Sequence, residues 1–124
     1  MANNFRIPFK NAVIAQGLPT TGAGSNAGDP VRNGALNGVN LWGTGKGQGI
    51  PAGSTYGMIA LDGVAVLTIA VTKATKENDP IYITSAGAVT TVDTGNTLFG
   101  YADEPAATGG AVRVGVRISN AVGA

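Results

Sequence analysis

Seven carboxylates and eight cations supply all the charged side chains of this 124-residue chain, which has neither histidine nor cysteine. It therefore has no imidazole base, no thiolate nucleophile, no disulfide and no soft metal ligand. The acids are Asp29, Asp62, Glu77, Asp79, Asp93, Asp103 and Glu104. Asp29, Asp79 and Glu104 each precede a proline, and Asp62 precedes a glycine. Those are turn positions, where a carboxylate caps or kinks the backbone for local reasons. A glycosidase needs two carboxyl groups facing each other across a sugar. Nothing in the spacing asks for that, and aromatic residues that would stack on a sugar are few. Asp93 with Asp103 and Glu104 offers a hard cation at most a loose site, because the ligand spacing of a calcium loop is absent. No catalytic residue, cofactor or metal site is expected, and the chain reads as a non-enzyme.

The glycine-rich stretch 43–53, GTGKGQGIPAG, resembles a phosphate-binding loop and fails the pattern. Gly45-Lys46 is followed by Gly47 where the motif needs Ser or Thr, and the position five before Gly45 is Asn40 rather than Gly. The magnesium-binding hydroxyl and the first tight-turn glycine are both missing. The stretch reads instead as a flexible surface excursion between strands. The basic residues give no footprint for nucleic acid or for an anionic membrane, since the net charge is only +1. Arg113 and Arg117 share one strand face about 13 Å apart. They form either a solvated edge or a basic stripe that meets carboxylates on a partner. At the N-terminus Phe5, Ile7 and Phe9 alternate with Arg6, Pro8 and Lys10, giving an extended segment one apolar and one cationic side. That segment is either a first strand along the domain's own sheet or an arm that lies on a neighbour. Trp42 is either a core residue or an exposed anchor at an interface. The partner-contact candidates are thus Phe5, Arg6, Ile7, Phe9, Lys10, Trp42, Arg113 and Arg117.

The elements that position these residues are short and β-like. In residues 78–119 the apolar runs 81–84, 88–92, 98–102 and 111–119 are rich in β-branched residues and bounded by Gly, Pro, Asp or Asn. Val112, Val114, Val116 and Ile118 alternate with Arg113, Gly115 and Arg117, which is a strand with one buried and one wet face. Earlier strands are expected at 12–15, 29–32, 38–41, 56–61 and 64–72. Asp62-Gly63 between two apolar runs fits a type I′ hairpin turn. Residues 64–71, VAVLTIAV, are apolar on both faces, which implies a closed barrel covered from outside or a subunit interface. Lys73 and Lys76 follow as solubilising gatekeepers. Residues 74–78 fit one helical turn, and the loop 17–28 reads as mobile. Asp-Pro followed by a β-branched residue occurs at both 29–31 and 79–81, an echo that two similar turns would produce.

The fold expected is all-β: a single small β-barrel or sandwich of seven to nine short strands with long Gly-rich loops. Residues 1–12 form the N-terminal arm, 13–119 the β domain and 120–124 a loose tail. Charged residues make up 12 %, about half the usual share. That suits a protein that spends its life docked, or a surface solvated by Thr, Ser, Asn and Gly. No apolar stretch suits a signal peptide or a membrane-spanning helix, so the chain is expected to be made and kept on the cytosolic side unless something else carries it out.

The succession D-P-I-Y-I, A-G-A-V-T, N-T-L-F-G-Y-A and A-x-R-V-x-V, with Gly28-Asp29-Pro30-Val31 and Asp62-Gly63-Val64 before it, resembles a family of small tailed-phage proteins. Its members are encoded near the capsid genes, and some are capsid cement, or decoration, proteins. The resemblance runs from about residue 28 to 119. It implies a structural virion protein that binds the outer face of a phage shell and stabilises it. The implied partners are the major capsid protein and neighbouring copies of itself, for instance in a trimer, with no nucleic acid or membrane involved. It also implies one long strand kinked at Gly63 rather than a hairpin. An old label on some members, RecA/RadA-like recombinase, implies instead a DNA-recombination accessory protein, whose nucleotide loop is lacking here. A virion-surface module that adheres to glycan is a third reading.

Overall fold

The computed structural model describes residues 2–120. Among them the strands in chain order are β1 (Phe5–Ile7), β2 (Ala12–Ala15), β3 (Pro30–Asn33), β4 (Leu36–Asn40), β5 (Gly57–Ala60), β6 (Val64–Val71), β7 (Pro80–Ile83), β8 (Val89–Thr90), β9 (Thr97–Ala102) and β10 (Gly109–Ile118). No helix occurs among the described residues. The fold is all-β, as expected, with one strand more than the seven to nine expected, because the arm itself forms β1. Of the expected tail, only Asn120 belongs to the described residues.

The strands form two sheets. Six run in the order β1-β6-β10-β9-β7-β8, and four in the order β2-β5-β4-β3. In the larger sheet β8 also meets β6 through one parallel bridge, Ala70 to Thr90, so the sheet curls back on itself. Its core is Leu67, Ile69, Val71, Ile81, Ile83, Val89, Phe99, Val114, Val116 and Ile118, joined by Val39 from the smaller sheet. Burying each such side chain contributes about 1.5–3 kcal/mol. A second cluster, Ala15, Leu18, Val31 and Ile59, belongs to the smaller sheet and its loops.

Strand β6 corrects one expectation. Ala65, Leu67, Ile69 and Val71 are buried, but Val66 and Ala70 are only half-buried and Thr68 is exposed. One face is therefore dry, while the other is buried at Val64 and wettest at Thr68. Asp62-Gly63 is no hairpin either. Strands β5 and β6 belong to different sheets, and the dipeptide is the corner at which the chain crosses between them, as the kinked-strand reading implies. Residues 74–78 are not helical. Thr75 forms an isolated bridge with Ala106, and a turn follows in which the Asp79 N–H donates to the Lys76 carbonyl at 3.1 Å.

That turn has a twin. Asp29 Oδ2 accepts the N–H of Asn26 at 3.0 Å, and Asp79 Oδ2 accepts the N–H of Lys76 at 2.9 Å. In each case the carboxylate reaches back three residues, as a turn-capping Asp does. The residue before each Asp, Gly28 and Asn78, has positive φ. The echo is therefore a repeated turn demand. It stops there, because Pro30 pairs with Val39 on β4, whereas Pro80 pairs with Tyr101 on β9.

The two glycine-rich loops are knitted together rather than free. Asn40 is fully buried. Its Nδ2 donates to the Gly24 carbonyl at 3.0 Å and to Thr44 Oγ1 at 3.1 Å, and its Oδ1 accepts the Gly43 N–H at 2.9 Å. The Thr44 N–H donates to the Ser25 carbonyl at 3.0 Å, and Leu18 is buried beneath. The expected mobile loop and the expected surface excursion hold each other through buried polar groups.

Candidate docking surface

The arm residues start from a strand that pairs with its own sheet. Asn4 fixes it: Nδ2 donates to the carbonyls of Gly28 and Val66 at 3.1 and 3.0 Å, and the Val66 N–H donates to the Asn4 carbonyl at 2.7 Å. Phe5 packs against the larger core, and its ring meets Phe9 edge-on with centroids 5.4 Å apart. The expected alternation then breaks. Phe5 stands opposite Ala65 and Ile7 opposite Val64, a register shift. Ile7 accordingly turns outward and is 53 % exposed. Lys10 is exposed, while its backbone N–H donates to Asp62 Oδ1 at 2.6 Å. Beneath the arm lies Gly63, with φ of 88°. A Cβ there would meet the Ile7 carbonyl oxygen at 2.8 Å, so only glycine lets the arm lie this close.

Arg6 crosses the sheet surface over Gly115 and reaches Glu104 at 2.8 Å and Asp103 at 3.7 Å. A Cβ on Gly115 would stand 2.7 Å from Arg6 Nη1, so the guanidinium lies directly over the glycine. Glu104 Oε2 also accepts the Gly115 N–H at 2.8 Å. Arg117 approaches Asp103 at 3.8 Å and donates to Asn78 Oδ1. Arg113 points from the same outward side of β10 and donates to Thr68 Oγ1 at 3.3 Å. Among the described residues no carboxylate lies within ion-pairing distance of it. The structure thus brings Arg6, Arg113 and Arg117 to one face, but carboxylates within the chain already engage two of the three.

Trp42 falls between its two readings. It is half-buried, and its indole covers Gly47 in the 43–53 loop, where a Cβ would collide with the ring. Asp103, Glu104, Asn78 and Thr68 escaped sequence reasoning as members of this face. One signal was available: Gly115 stands at a central position of an otherwise alternating strand, and glycine there marks a close approach by another chain segment.

Two carboxyls on this side titrate below the ordinary range. The Gly115 N–H holds Glu104 down first, then the Arg6 side chain, against a smaller effect of burial. For Asp62 burial acts upward and is the largest single influence, but the hydrogen bonds from Lys10 and Asn11 and the Lys10 charge together outweigh it. Both groups therefore have lower folded than unfolded pKa values. Their stabilisation is whole above the unfolded values, about 4, and is lost as pH falls through the lowered folded values. The melting temperature is expected to fall on acidification below about pH 4.5. Glu104→Gln and Asp62→Asn should each make that fall shallower, as thermal melts across the pH range will show.

Among the described residues no three His, Cys, Asp or Glu side chains are placed to hold a metal ion. A family described as "Phage cement protein" matches the chain over residues 13–118. No curated protein and no solved structure matches it. The matched span contains most of β2 and all of β3 to β10, hence both sheets and the strand that carries Arg113 and Arg117, while β1 lies outside it. With so much of the chain matched, the protein belongs to the phage cement protein family.

Proposed function

We propose that this protein docks on the outer face of a phage shell, contacts the major capsid protein, and holds neighbouring capsid subunits against expansion and rupture. Membership of the family makes it a structural cement protein associated with the capsid of the virion. That match is the observation that carries the reading. The low charge of the chain supports it, because a surface with 12 % charged residues suits a docked protein better than a free one.

The face to which the docking is assigned is the outer side of β6 and β10, with the arm at its border. Arg113 is its available cation, Ile7 its exposed apolar side chain, and Phe9 and Lys10 its rim. Arg6 and Arg117 hold the face together through Asp103 and Glu104. A carboxylate on the capsid would then find Arg113, and the surrounding apolar contact would exclude water from the pair.

Mass spectrometry of purified virions should find the protein in fixed ratio to the major capsid protein, and brief proteolysis of intact virions should cut it first. Arg113→Glu should weaken binding to shells lacking the protein by tenfold or more while leaving its melting temperature unchanged. Virions without the protein should rupture at lower temperature, and adding it back should restore them. Absence from virions, or shells equally stable with and without it, would sink the proposal.

A further inference from the structure

Sheet edges distinguish a second surface. Natural proteins protect an open edge with proline, charge or a bulge, because its unpaired N–H and C=O groups recruit other strands. Strand β3 opens with Pro30 and carries Arg32. Strand β1 carries Arg6, is followed by Pro8 and has an irregular register. Strand β2 has none of these devices. Its sequence is Ala-Val-Ile-Ala, and it lies at the end of the smaller sheet.

The pairing shows which groups remain open. The Leu61 N–H donates to the Asn11 carbonyl, and the register continues as Ala12 with Ala60, Val13 with Ile59 and Ile14 with Met58. Bonding alternates along an antiparallel ladder. Val13 and Ala15 therefore spend their groups on β5, while Ala12 and Ile14 direct theirs outward. No strand among the described residues pairs with that side. Beside it lie apolar side chains: Ile14 is 50 % exposed and Tyr56 37 %, around a shallow hollow shared with Ile50 and Pro51.

We propose that β2 pairs with β2 of a second copy of this chain, antiparallel about a two-fold axis at Ile14. Three observations favour a copy over any other occupant. An antiparallel edge is complementary to itself by geometry, so the same patch serves both sides. The hollow, formed by Ile14, Gln48, Gly49, Ile50, Pro51 and Tyr56, contains no charged residue, so two copies meet without like-charge repulsion. Arg113, the cation assigned to a carboxylate of the shell, lies on the other sheet. The strand and hollow together comprise fewer than ten residues, against roughly 20–30 on each side of a stable interface. The pair is therefore weak between free molecules and forms where copies are held side by side. For that setting the inference rests on the shell-docking reading, but its test needs no shell.

The chain has no cysteine, so a single introduced thiol reports its own pairing. Ile14→Cys would face its twin across a hydrogen-bonded antiparallel pair, with Cα atoms about 5.5 Å apart, within the disulfide range of about 4.4–6.8 Å. Under mild oxidation at high concentration, Ile14→Cys should give at least five times the disulfide-linked dimer that Lys73→Cys gives. Adding Ile50→Lys to Ile14→Cys should return the yield to the Lys73→Cys level, while melting confirms that each variant is folded. Equal yields from folded Ile14→Cys and Lys73→Cys overturn the proposal. So does Ile14→Lys abolishing shell binding while Ile14→Cys traps no dimer, for then a capsid strand covers the edge. Failure of trapping alone leaves shell docking untouched, and failure of shell docking leaves trapping untouched.

Discussion

Removing residues 1–10 is expected to lower the melting temperature of the isolated protein by roughly 10 °C or more. The deletion takes away strand β1 and its place on β6. It strips the Asn4 bonds to Gly28 and Val66 and the 2.6 Å bond from the Ala2 N–H to the Leu41 carbonyl. It uncovers the core beneath Phe5 and leaves Glu104 and Asp103 without Arg6. Phe5 alone contributes about 1.5–3 kcal/mol, and each lost hydrogen bond about 0.5–1.5 kcal/mol. The exposed ion pairs add little. Because the segment lies ordered on its own sheet, these contacts together outweigh the entropy of ordering it, and its removal is a net loss. An arm that lay only on a neighbour would give the opposite result, an unchanged melting temperature with weakened shell binding. Calorimetry of the full and shortened chains separates the two. Phe5→Ala should reproduce about half of the shift, and Ile7→Ala almost none, because Ile7 points outward.

The difference between Phe5 and Ile7 shows how far the sequence could be read. Alternation in residues 5–9 marks them as extended, but one irregular step in register sends Ile7 the other way, and a bulge leaves no trace in composition. The strand at 109–118 was legible because its alternation is unbroken: Val114, Val116 and Ile118 are buried, and Arg113 and Arg117 are exposed. Asp29 and Asp79 were legible as turn residues because their work is local, reaching back three positions. Partners distant in sequence were not. Arg6 meets Glu104 over Gly115, both far from it along the chain, and Asp62 accepts from Lys10 and Asn11 where the chain crosses between sheets. Apolar pattern places a strand and its faces. It does not say which sheet takes the strand, so Asp62-Gly63 resembled a hairpin and proved to be a corner.

Asn40→Ala is expected to cost about 3–5 kcal/mol, unusually much for one side chain. Within the run Gly-Val-Asn-Leu the residue resembles an ordinary polar position on a half-wet strand. In the fold it is fully buried and bonds three groups from the two glycine-rich loops. Truncation leaves the Gly24 carbonyl, the Thr44 hydroxyl and the Gly43 N–H buried without that partner, at about 1–3 kcal/mol for each group that water cannot reach. Both loops should then open, and the chain supplies its own probe: Trp42 is the single tryptophan, and its ring covers Gly47 in one of them. Its emission should shift to longer wavelength, and proteases should cut residues 17–28 and 43–53 before global unfolding. Thr44→Val, which removes one of the three bonds, should cost about a third as much. Asn40→Asp keeps the acceptor for Gly43 but sets a carboxylate against the Gly24 carbonyl in a site without solvent. It should destabilise at least as much as alanine near neutral pH. The loss should shrink in acid, where the protonated oxygen can donate to Gly24. If Asn40→Ala melts within a degree of the unaltered protein and leaves Trp42 emission unchanged, these bonds do not hold the loops.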